Sequence, residues 1–185
     1  MNPRFHRIPV DQMTPLQREV AAEIAAGPRG DVRGPFIALL HHPELARRIQ
    51  GLGEFLRFGA TLPQSLIEMA ILITARHWTA QHEWYAHERL ARKEGLDEHV
   101  IAALQRGVRP DPMTDAQREV YEFCVEAHAG GRVSDGPYAA IKARFGQEGV
   151  LELLCVSGYY SMIAMVLNTA GMPLPDNAPP PLAAR

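Results

Sequence analysis

The eight residues MTPLQREV at 13–20 return as MTDAQREV at 113–120, with six of the eight unchanged at an offset of 100. A return of this kind constrains the chain to two related helical halves, approximately 13–107 and 113–172, packed into a single all-α domain spanning 1–185. A fainter echo lays residues 55–72 against 141–156. It pairs Arg57-Phe58-Gly59 with Arg144-Phe145-Gly146, and Glu68 with Glu152.

Local signals agree with helices throughout. Thr14 precedes PLQREVAAEIAA (15–26) as an N-cap, Pro15 takes the first helical position, and Gly27-Pro28 stops the run. A Gly/Pro-rich connection leads into FIALL and, past His42-Pro43, into ELARRIQGLGEFLRF, whose apolar positions repeat at helical spacing. Thr61 opens a T-x-x-Q capping pattern with Pro63 in the first turn, ahead of a mostly apolar helix reaching about Arg76. Thr79 is placed to cap a helix over 80–94 that stops at Gly95, and 96–107 reads as a shorter one. Residues 107–112 form the clearest linker, and the Pro-rich tail 173–185 is expected to lie extended on the surface or to fray.

Apolar residues make up 46% of the chain and charged residues 22%, as in ordinary folded proteins, and the formal net charge of −2 offers no attraction for nucleic acid or an anionic membrane. The runs MAILITA (69–75) and LLCVSGYYSMIAMVL (153–167) read as too short or too interrupted to span a bilayer. No apolar leader precedes them. Cys124 and Cys155 form no C-x-x-C and sit in apolar surroundings, which points to inert core thiols and a cytoplasmic, disulfide-free chain.

The polar residues that stand out are gathered in the stretch QHEWYAH, 81–87, and in Glu68, a carboxylate inside the apolar run LIEMAILI. A carboxylate there is costly unless paired, so Glu68 needs a partner. Glu83 and His87 are four apart and stack on one helix face, where they can share a proton or a substrate. His82 and His87 are five apart, about 140° around the axis, and cannot grip one ion as the histidines of H-E-x-x-H do. Spacing alone leaves three readings open: a solvated helix face, an acid–base pair, or a metal site completed by Glu68. Tyr159 and Tyr160 lie in an apolar helix where their hydroxyls need partners, whether by packing or by lining a pocket. Arg76 is either an anion holder or half of an ion pair, and His77 and His99 read as structural.

The stretch from Glu68 to Gly95 resembles the signature region of the carboxymuconolactone decarboxylase and alkyl-hydroperoxidase D-like superfamily, with a looser likeness through ELLCVSGYYSMIAMVLNTAG in the second half. In the peroxidase branch a glutamate is followed by a C-x-x-C pair and then a histidine. Laid on this chain, the glutamate is Glu68, the histidine is His87, and the cysteine positions hold Ala80 and Glu83. Thiol peroxidase chemistry has no nucleophile there. The decarboxylase branch, which also lacks the cysteines, has an E-x-x-x-H element that matches Glu83 to His87. This likeness implies an all-helical fold, assembly into trimers or hexamers, and a cofactor-free lyase or isomerase acting on a small carboxylated lactone or oxo acid. It implies Glu68, Glu83 and His87 as catalytic residues, with His82 beside them and Trp84 and Tyr160 as pocket walls. No metal and no cofactor are expected. A non-catalytic ligand-binding oligomer is the alternative, followed by a peroxidase that would have to use Cys124 or Cys155.

Overall fold

The computed structural model describes residues 3–175 and 178–184, and among them eight α-helices and no strand. The helices are α1 (Pro15–Ala26), α2 (Pro35–Leu39), α3 (Pro43–Glu54), α4 (Gln64–His77), α5 (Gln81–Lys93), α6 (Glu98–Arg106), α7 (Asp115–Gly130) and α8 (Asp135–Ala170). Thr14 and Thr114 each accept from the backbone of the glutamine three residues on, and each glutamine side chain answers the threonine N–H. The two copies of M-T-x-x-Q thus build the same capping box, satisfying two otherwise orphan donors at each helix start.

Helix α4 is the hub. Every residue from Leu66 to Arg76 is buried, because α5, α6, α7 and α8 all pack around it. An apolar run with no polar face can be stable only in such a position. Among the large side chains, Ile67, Met69, Ile71 and Leu72 are sealed alongside Trp84, Phe123 and Ile141.

Several local expectations are corrected. Thr61 does not cap α4: Pro63 stands at its N-cap without a side-chain bond. Thr61 is held instead by the distant Glu152 of α8, which accepts from Thr61 N at 2.8 Å, Thr61 Oγ1 at 3.2 Å and Leu62 N at 3.1 Å. A carboxylate offering two acceptor oxygens to three donors outcompetes a glutamine cap. Thr79 does not cap α5 either; it lies at φ +49 in the tight corner between α4 and α5, a strained region for a β-branched residue. Helix α3 ends at Glu54 and continues as a π-turn, Phe55–Gly59, which carries Arg57.

Helix α8 runs 36 residues and is broken at Gly146, where φ is +70. By length and a mean hydropathy of 1.8 it could cross a membrane, contrary to the reading of that run as too interrupted. Its most apolar window is 56% buried, and it packs against α4 and α7, which makes it a core helix. Cys124 is buried on α7, whereas Cys155 faces solvent on α8, so only one cysteine is a core thiol. The described part of the Pro-rich tail is docked rather than frayed. Leu182 is buried, and its N–H and C=O both pair with the Gln81 side-chain amide.

Candidate active site

Glu68 finds its partner in His87. The imidazole Nδ1 and Glu68 Oε2 are 2.7 Å apart, with the two residues 8% and 2% exposed. The contact crosses from α4 to α5 and depends on the corner at residues 78–80. That corner is closed by Trp78 N to Thr74 O and by Ala80 N to Ala75 O at 2.8 Å. It is tied to α8 by Trp78 Nε1 donating to Ser161 Oγ and Asn168 Nδ2 donating to the Trp78 carbonyl. With Nδ1–H donating to Glu68, the neutral ring presents Nε2 as an acceptor. The Tyr160 ring meets His87 edge-on at 5.0 Å, and Tyr159 meets Tyr160 in the same manner at 5.2 Å.

Glu83 lies one turn before His87 on α5 and is 2% exposed, yet neither carboxyl oxygen has a hydrogen-bond partner. The expected Glu83–His87 proton pair is therefore replaced by Glu68–His87, because the corner brings α4 closer to the ring than its own helix neighbour. Burial without compensation pushes the Glu83 carboxyl well above its ordinary range, which favours its protonated form. Burial likewise raises the Tyr159 and Tyr160 phenols. Arg57 opposes it in both, Arg29 opposes it at Tyr159, and Glu83 reinforces it in both.

The other expected residues stand apart from this group. His82 Nδ1 contacts the Pro173 carbonyl at 3.0 Å and its ring lies against Gly34, so it anchors the C-terminal segment. Burial lowers its pKa, with a contribution from His87. Trp84, expected as a pocket wall, is fully buried and donates Nε1 to Glu88. Arg76 donates to the Ala183 carbonyl at 2.8 Å, His77 stacks on His128, and His99 Nε2 contacts the Pro112 carbonyl at 2.7 Å. Among the described residues no three His, Cys, Asp or Glu side chains gather in a way that could hold a metal ion.

Two arginines escaped the sequence reading. Arg29, in the connection after α1, and Arg57, on the π-turn, both have side-chain nitrogens sealed from solvent without a partner, as has the Tyr159 hydroxyl. The one available signal was Arg57 flanked by phenylalanines in FLRFG, since an arginine held between aromatics is rarely free in solvent. Three cavities lie away from this group. One of about 490 Å³ is an apolar groove lined by Phe5, Leu39, Leu45, Met162, Met165 and Val166. One of about 480 Å³ is lined by His82, Leu167, Met172 and Pro173, and one of about 270 Å³ by Arg76, His77, Tyr121 and His128.

Among solved structures, the chain is similar to an uncharacterized peroxidase-related protein from Ralstonia eutropha JMP134, described as an alkylhydroperoxidase AhpD core. The two share a TM-score of 0.76 at 17% identity, over 94% of this chain and 93% of that one. At that identity the likeness shows the fold, which is the all-α alkylhydroperoxidase-like architecture expected from the sequence. No family model matches the chain, and no curated protein does.

Proposed function

We propose that this protein is a cofactor-free lyase or isomerase that acts by acid–base catalysis on a small carboxylated lactone or oxo acid. The observation that supports it is the contrast on α5 between a buried Glu83 without a partner, whose proton burial favours, and a His87 whose Nδ1 is occupied by Glu68. Groups whose environments separate their proton affinities divide naturally into acid and base.

In decarboxylation the bond between the ring carbon and its carboxylate breaks and carbon dioxide leaves. The electron pair spreads into the conjugated carbonyl. Glu83 gives its proton to the carbon and regains one from solvent as the product leaves, so each turnover consumes one proton. In isomerisation His87 Nε2 takes a proton from one carbon while Glu83 delivers one to another, and exchange with solvent as the product leaves restores both groups. Glu68 holds the imidazole in the tautomer both steps need.

The peroxidase alternative is poorly served. Ala80 and Glu83 stand where that chemistry places thiols. Cys124 is sealed beside Ser157, and burial pushes its thiol up to about 12. The apolar groove beneath Phe5 and Met165 favours the other alternative, a ligand-binding oligomer without chemistry. A screen of carboxymuconolactone and related lactones for carbon dioxide release decides between them. The reading expects turnover by the wild type and a loss of about a hundredfold or more in His87→Gln and Glu83→Gln, with the fold retained; wild-type rates in both variants remove these roles.

The same reading makes the protein a homo-oligomer, a trimer or hexamer, working in the cytoplasm. Its free thiols and an unpaired apolar stripe on α8 are in keeping with this.

A further inference from the structure

We propose that Arg29 and Arg57 form a cradle for the carboxylate of the ligand and so set which end of it faces Glu83 and His87. The proposal rests on the acid–base reading of that site and adds its substrate-orienting residues.

Six buried polar atoms lack partners in one neighbourhood: Arg29 Nε and Nη2, Arg57 Nε, the Tyr159 hydroxyl and both Glu83 oxygens. Folded proteins rarely leave such groups unpaired, and guanidinium donors cost most when they are. They come from four separate segments, so no local accident of one helix explains them. A point one Cβ bond from Gly53 lies 2.1 Å from the Tyr159 hydroxyl and 2.7 Å from Arg29 Nη2, which makes those two groups close neighbours, with Arg29 favouring the ionised phenol. Only glycine on α3 admits that approach. Arg57 and Glu83 both act electrostatically on Tyr159 and on Tyr160, and Tyr160 touches His87.

Charge selects the ligand. Among the described residues no carboxylate is hydrogen-bonded to Arg29 Nε or Nη2 or to Arg57 Nε. Two cations beside a phenol suit one compact, planar anion, and a carboxylate takes two parallel N–H bonds from a guanidinium. Each guanidinium is also braced on a ring, Arg29 at 4.7 Å over Phe36 and Arg57 at 4.8 Å over Phe58, which fixes the donor planes. Both residues are half-buried, so part of each side chain meets solvent while the unpaired nitrogens face inward.

Calorimetric titration with paraconate, a five-membered lactone bearing a carboxylate, and with its methyl ester tests the cradle without requiring turnover. The wild type is expected to bind the acid at least about tenfold more tightly than the ester. Arg29→Met and Arg57→Met should each lose about tenfold for the acid and nothing for the ester, with Lys at either position recovering part. Binding is read without turnover, so a failed acid–base reading leaves this result standing. Equal binding of acid and ester by the wild type, absence of binding, or Met variants that hold the acid undiminished would overturn the proposal. Should the Met variants fail to fold, the acid–ester comparison on the wild type still decides.

Discussion

Glu83 matters more here than any other side chain, because its carboxyl is buried with no partner and burial favours its protonated form. Linkage turns this into a stability statement. The folded chain holds a proton that the unfolded chain releases near 4.5, so Glu83's contribution is fully present below that pH and is lost as pH rises through the higher folded value. Denaturant midpoints of the wild type should accordingly fall, relative to Glu83→Gln, from about pH 4.5 upward. Parallel curves for the two proteins would mean the carboxyl is solvated. The sequence made Glu68 conspicuous, since a carboxylate in LIEMAILI demands a partner, but not which one. Spacing pointed His87 at Glu83 within one helix; the 2.7 Å bond to Glu68 exists because two helices meet at a corner that no periodicity describes. Arg29 and Arg57 were less legible still, as an arginine in a loop or at a helix end ordinarily reads as solvated.

At the scale of the element, the approach to the site is organised by Glu152. It bridges from α8 to the residues that lead into α4, accepting three hydrogen bonds while 7% exposed. Removing it strands two backbone donors and a hydroxyl. Glu152→Ala should cost on the order of 3 kcal/mol in equilibrium unfolding, and Glu152→Gln, which keeps one carbonyl oxygen, clearly less. A change of under about 0.5 kcal/mol in the alanine variant would show the bridge to be idle. Helices themselves were readable, because caps and stops such as Thr14 and Gly95 act locally. The misreadings at Thr61 and Thr79 share one cause: in the first a side chain from a remote helix, and in the second a strained turn, displaced a cap that sequence alone favoured.

Across the whole molecule, α8 shows what the fold leaves undone. Its C-terminal half is largely apolar, yet Leu151 is 61% exposed, and Leu154 and Met165 are exposed as well. Phe55 and Phe58, on the π-turn that contacts α8, add to this surface. A stripe of this kind is what copies of the chain would cover on assembling. Light scattering should give the wild type a mass of several chains and reduce Leu151→Asp to a smaller species, whereas a monomeric wild type would refute the assembly. The central claim, a neutral acid beside an oriented histidine, is tested most directly by infrared spectroscopy of the carboxyl groups at neutral pH. The account predicts a protonated-carboxyl band in the wild type that is absent from Glu83→Gln; spectra of the two proteins without such a difference would show Glu83 ionised and contradict it.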